Sequence, residues 1–251
     1  MQSLRLNEAW LRGLSVVTFF VVWQAASGLA SSPLLPGPAA VAATLVKLAV
    51  SGRLLADIGI TLWRVVASFS IAMAVGSVIG IFMGSSRSAD RLFDFWLVLG
   101  LNVPALVIIF LCYLWVGLSE AAAILAVALN KVATCAVILR EGARSVDYDL
   151  LQVADVLRLT RWRRMTRVYL PQLYPYVMAA TRAGLSLIWK IVLVVELIGR
   201  SNGVGFQLGV YFQFFDITSI LAYTASFVLV VVIVESWVIR PLELRVTQWR
   251  R

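Results

Sequence analysis

Six apolar stretches, each close to the roughly twenty residues a helix needs to cross a bilayer, leave this chain little choice of fold. They lie at about 13–30, 58–83, 95–116, 121–139, 174–198 and 217–239. Hydrocarbon offers a peptide group no partner, so each stretch must close its hydrogen bonds within itself as a helix. The expectation is an all-α polytopic membrane protein of about six transmembrane helices, a single domain over residues 1–251. Hydrophobic residues make up 61% of the chain and charged residues 14%, and mean hydropathy is +0.90. Those values exclude an ordinary soluble domain.

The net charge of +9 raises the question of nucleic acid, but Lys and Arg cluster beside the apolar stretches. Arg5 and Arg12 precede the first, Arg87 and Arg91 follow the second, and Arg140 and Arg144 follow the fourth. Arg240, Arg245, Arg250 and Arg251 close the chain. This is the positive-inside pattern, which places both termini and the 140–172 interval in the cytoplasm and requires no nucleic-acid partner. The first stretch, with small residues Ala25, Ala26, Ser27 and Gly28 behind it, also fits a cleaved signal peptide; a retained span is favoured. With no His, and with Cys112 and Cys135 inside apolar runs, neither a disulfide framework nor a Cys/His metal site is expected.

Between the spans, SSPLLPGP (31–38) reads as an extended break and 41–55 as a short amphipathic helix, interrupted by Lys47, Ser51, Gly52 and Arg53. In the second span Ala72, Gly76, Gly80 and Gly84 fall four apart, a ladder that lets another helix approach its backbone. Asn102 and Pro104 should kink the third span and turn it toward protein or a water-filled path. Residues 117–120 form a tight outer turn, and 199–215 a glycine-rich outer loop with a short aromatic segment. Polar groups in lipid are expensive, so Asn102, Asn130, Lys131, Lys190 and Glu196 are the candidates for a translocation path. Snorkelling or structural pairing competes at each of them, and Glu196 fits either an outer gate or a buried pair with a basic neighbour. Trp10, Trp23, Trp237 and Trp249, near span ends, read as an interfacial belt.

The longest polar interval, 141–171, is more than a connector. Leu150, Val153, Ala154 and Leu157 recur at i, i+3, i+4 and i+7, one apolar stripe on a short helix started by Asp147 and Asp149. Thr160 can cap a second short helix bearing Arg161, Arg163, Arg164 and Arg167, with Pro171 stopping it. The product is a small surface, apolar on one side and basic beyond it. Basic surface helices are also common between spans without any specific partner.

Taken in order, LPGP (35–38), TLWRVVASF (61–69), GIFMGSSR (80–87), RSVDYDLLQVA (144–154), RWRRMTRVYLP (161–171) and VVELIGRSNGVG (194–205) resemble the permease subunits of binding-protein-dependent ABC importers. The resemblance is to the branch handling nitrate, sulfonates, taurine and related solutes, and it spans nearly everything after residue 35. It implies a type I importer fold in a bacterial inner membrane. It also implies a separate ATP-binding cassette ATPase that holds ATP and Mg, a second permease copy as homodimer partner, and an external solute-binding protein. The 147–171 loop is then similar to the coupling element that sits in a groove of the ATPase, which assigns contacts to Asp149, Leu150, Gln152, Val153, Ala154, Leu157 and Arg158, and onward to Arg161, Arg163, Arg164 and Pro171. The family pattern there is Glu-Ala-Ala, three residues, Gly, and later Leu-Pro. Here Gln152, Val153 and Ala154 fill the first three positions and Arg158 the glycine position; Ala154, Leu170 and Pro171 hold. An arginine takes a glycine conformation at a cost, so either the turn is helical here or the ATPase groove differs. Arg64 resembles a family-typical structural position.

No G-x-x-x-x-G-K-[ST] occurs around Lys47, Lys131 or Lys190, so no nucleotide cofactor and no enzymatic activity are expected of this chain itself. The transported solute is expected to be small and anionic, since lysines line the candidate path. A secondary transporter without ATPase, or a membrane scaffold or channel subunit, are the alternative readings.

Overall fold

A computed structural model describes residues 2–30 and 32–242. In chain order the helices are α1 (Gln2–Ala30), α2 (Pro38–Val50), α3 (Arg53–Ser85), α4 (Arg87–Asn102), α5 (Ala105–Val116) and α6 (Glu120–Arg144). They continue as α7 (Tyr148–Val156), α8 (Arg161–Arg164), α9 (Leu170–Gly199), α10 (Val204–Gln213) and α11 (Ile217–Val234). Five continuous helices are long and apolar enough to cross a membrane, and α4 with α5 make a sixth if the bent pair is one span.

The helices meet at two polar ends. At one, the basic end, Arg140 Nη1 bonds Asp94 at 2.6 Å and Arg144 pairs with Asp90, joining the last turn of α6 to the first turns of α4. At the opposite end the N-termini of α3, α6 and α11 meet the C-terminus of α9 and the start of α10. The pair α4–α5 runs from one end to the other, because Tyr113 near the end of α5 donates to the Val195 carbonyl of α9 at 2.9 Å.

The central contact is α3 against α6. A methyl added at Gly76 would lie 2.6 Å from Cys135 Cβ, and one at Gly84 2.6 Å from Ala143 Cβ; at Gly80 it would meet Leu139 Cβ at 2.9 Å and the Ala136 carbonyl. Between lipid-bathed helices dispersion is the attraction available, and it requires this closeness. Cores of Leu54, Val65, Ile109, Val127, Ile188 and Val192 fill the half nearer the opposite end. By contrast α1 is largely exposed over residues 13–30, Trp23 and Ser27 being half-buried, and meets the rest through α2 and the preceding turn, with Trp23 Nε1 on the Pro36 carbonyl at 3.0 Å.

Several boundaries depart from expectation. The 41–55 helix ends at Val50, because Gly52 takes a left-handed φ of 76° and caps α3, which claims Leu54 and Leu55. The third span does more than kink: it breaks by 96°. Proline biases the residue before it toward extended backbone, and Val103 lies at φ −69°, ψ 124°. Pro171 does not stop a helix either. A π-turn, Met165–Tyr169, runs α8 into α9 as one helix, Arg161–Gly199. The Leu170 amide reaches back five residues to the Met165 carbonyl, and the widened turn relieves the proline ring. Most of the 199–215 loop is α10.

Candidate coupling surface and buried polar network

The 145–172 interval is tied down at both ends by one side chain. Gln172 Oε1 accepts from the Asp147 amide at 2.8 Å while Gln172 Nε2 donates to the Val168 carbonyl at 3.0 Å. Asp147 caps α7, accepting from the Asp149 and Leu150 amides, and Thr160 caps α8 through the Arg163 amide at 3.4 Å. Leu151 packs with Ala143, Val146 and Leu173, and Ala154 is buried beside it. The inward face is therefore Leu151–Ala154, a shift of register from the stripe expected: of Leu150, Val153, Ala154 and Leu157, only Ala154 turns inward. Tertiary contact decides, because a nine-residue helix this rich in Leu and Val has two usable apolar faces. Leu150, Val153, Val156 and Leu157 stand exposed, an apolar foot beyond the basic end.

Arg158 takes φ +50°. Its amide bonds the Asp155 carbonyl at 2.9 Å and the Leu159 amide bonds the Ala154 carbonyl at 3.0 Å. This pair of bonds is the Schellman helix stop, with Arg158 in the place glycine usually fills. The turn is thus not helical; an arginine bears the glycine conformation. Beyond it Arg164 Nη1 donates to both Asp155 oxygens, at 2.6 and 2.9 Å. Asp149, Gln152, Arg161, Arg163 and Pro171 are exposed.

At the opposite end lies a network that the sequence reading had only in part. Arg64 is 1% exposed and uses all five of its donors. Nε and Nη2 fork onto Glu120 at 2.9 and 2.5 Å; Nη1 reaches Glu196 Oε1 at 2.7 Å and the Asn202 carbonyl at 2.9 Å; Nη2 also donates to Asn202 Oδ1. Arg200 adds a second cation on Glu120 at 2.7 Å. Three successive amides at the start of α10 complete the set. Gly203 N–H meets Asp57 Oδ1 at 3.1 Å, Val204 N–H meets Thr61 Oγ1 at 3.0 Å, and Gly205 N–H meets Glu196 Oε2 at 2.8 Å. Tyr223 of α11 donates to the other Asp57 oxygen at 2.9 Å. A helix N-terminus carries free donors and partial positive charge, and here carboxylates from two other helices satisfy it. Gly203, at φ +102°, leaves no room for a side chain: its Cβ would stand 2.6 Å from Glu196 Cδ.

The five path candidates scatter. Glu196 lies in the network; Asn102, at the break, donates to its own Val98 carbonyl at 2.7 Å; Asn130 is half-buried, Lys131 buried and Lys190 exposed. Trp10 and Trp237 are exposed, Trp23 is half-buried, and Trp249 is outside the described residues. Asp57, Thr61, Glu120, Arg200, Asn202 and Tyr223 were missed. A signal existed for the first two: Asp57, Thr61, Arg64 and Ser68 repeat at i, i+4, i+7 and i+11 in an apolar helix, a polar stripe of helical period.

Membrane-length helices around a tight core, with an apolar foot at one end and an ion-paired network at the other, define the membrane subunit of a transporter. Residues 72–247 match the family of binding-protein-dependent transport system inner membrane components, and the chain belongs to that family. It is 30% identical to the aliphatic sulfonates transport permease protein SsuC of Bacillus subtilis, over 98% of this chain and 90% of that one. It is 28% identical to the taurine transport system permease protein TauC of Escherichia coli, over 94% and 88%. The crystal structure of an amino acid ABC transporter with histidines shares the fold, with a TM-score of 0.60 over 80% of this chain and 97% of that chain at 21% identity.

Proposed function

We propose that two copies of this chain form the transmembrane path of an ATP-driven importer for a small anionic solute, with sulfonates as the leading class. Relatives named for sulfonates and taurine support the solute class. The basic end faces the cytoplasm, with both termini on that side, and a separate ATPase seats α7 in its groove and supplies ATP and Mg. A solute-binding protein delivers the solute at the opposite end, near α10. Closure of paired ATPases pushes α7, and Gln172 passes that movement to α9. The rocking of α9 against α3 and α6 alternates access.

The observation that carries this reading is the foot. Leu150, Val153, Val156 and Leu157 are exposed beyond the spans, where water makes apolar surface costly and a protein groove would cover it. The test is co-purification from mild detergent of this chain and its Val153→Asp/Leu157→Asp variant. The original chain should bring down a P-loop ATPase in stoichiometric amount; the variant should reach the membrane equally and lose the ATPase. Equal recovery of ATPase with both, or none with the original chain under crosslinking, would sink the importer reading.

A further inference from the structure

We infer that Lys131 is the group that holds the anionic head of the solute inside the membrane. The inference rests on the importer reading and adds to it a residue and a chemistry, an ammonium paired with a sulfonate or similar oxyanion. Lys131 is 5% exposed, and among the described residues it makes no hydrogen bond or ion pair. Other arginines set among the helices do have carboxylate partners. Arg64 has Glu120 and Glu196, Arg140 has Asp90 and Asp94, Arg144 has Asp90 and Arg200 has Glu120. Nor can Lys131 snorkel. It stands eleven residues from Glu120 and thirteen from Arg144, the two ends of α6, about 16 and 20 Å along the axis, farther than one lysine side chain spans.

An ammonium buried without a counter-charge is among the costliest groups a membrane helix can carry. A visiting oxyanion removes that cost by supplying the missing charge in a strong charge-assisted bond. Unlike Ser68 Oγ, Arg140 Nε and Arg200 Nε, which are enclosed without a hydrogen-bond partner, Lys131 Nζ keeps some accessible surface, so an oxyanion can reach it. A cation gains nothing here, and a neutral solute leaves the ammonium unpaired, so the residue selects by charge.

The test uses the complex of this chain with its ATPase in nanodiscs and follows thermal unfolding with ethanesulfonate, taurine, bicarbonate or uncharged methanesulfonamide. At least one anion should raise the Tm of the original complex by several degrees, with methanesulfonamide inert. Lys131→Met should lose that rise, and Lys131→Arg should keep part of it. Without ligand, Lys131→Met should unfold no earlier than the original, since it removes an unpaired buried charge. In proteoliposomes with the binding protein, ATP-driven uptake of the stabilising anion should fall about thirtyfold or more in Lys131→Met. The same rise in Lys131→Met, no rise with any anion, or a lower ligand-free Tm in Lys131→Met would each overturn the inference. Absence of ATP-driven uptake by the original complex would instead count against the importer reading, whatever the Tm shifts.

Discussion

Arg158 illustrates how much one backbone angle can carry. A left-handed φ crowds the Cβ of any residue but glycine, at about 1–2 kcal/mol, and Arg158 holds φ +50° to stop α7 before Thr160. Arg158→Gly should therefore stabilise the turn by about 1 kcal/mol, seen as slower hydrogen exchange at the Leu159 amide, which bonds the Ala154 carbonyl. Faster exchange would mean that the guanidinium holds the turn by a contact of its own. The neighbouring caps at Asp147 and Thr160 were legible in the sequence because capping is local: an oxygen and an amide two or three residues on. The conformation of Arg158 was not, since its residue type argues against what the surrounding helix demands. The partners of Arg64 were less legible still, because Glu120 and Glu196 lie 56 and 132 residues away in sequence.

Among elements, glycines at two helix contacts differ in how closely their neighbours approach. Gly80→Ala drives a methyl into Leu139 Cβ at 2.9 Å and into backbone oxygen, which cannot yield as a side-chain tip does. It should destabilise by about 2 kcal/mol despite alanine's better helix propensity. Gly184→Ala meets its nearest atom, Phe69 Cε2, at 3.7 Å and should be neutral or stabilising by up to about 1 kcal/mol. Thermal unfolding of the two variants in one detergent decides; equal effects would refute the difference between the two sites. The glycine ladder was readable because it is periodic. The π-turn before Pro171 was not, since the rule that proline ends a helix omits turns that widen to admit its ring. The register of α7 escaped for a different reason: Leu150 and Leu151 are equivalent as sequence, and Val146 and Leu173 choose between them.

At the scale of the molecule, an apolar middle is held by polar clamps at its two ends, one through Arg140 and Arg144 and one through Arg64. The second joins α3, α6, α9 and the start of α10, and removing its centre strands Glu196, which is 0% exposed. Arg64→Met should cost about 3–5 kcal/mol, read as lost folded yield and a lower Tm. Adding Glu196→Gln should restore part of the loss, because no bare charge then remains. A double variant worse than Arg64→Met alone would contradict that account. Five long apolar helices and a bent sixth pair were legible in hydropathy, since bilayer thickness imposes length on sequence directly. The 96° break within one of them was signalled only as a kink, because proline specifies that a helix is interrupted and its neighbours specify the angle.

The merging of α8 into α9 has one more consequence. The 39 residues Arg161–Gly199 form a shaft about 58 Å long at helical rise, with the basic face at its lower bearing and Glu196 near its upper one. A torque applied at Arg164 meets only two weakened places near that end, the loosened turn at Met165–Tyr169 and Pro175 within α9. Rotating the shaft would swing the Glu196 carboxylate away from the Gly205 amide and uncap α10. An event on one side of the bilayer could then be felt on the other as the loss of a single hydrogen bond.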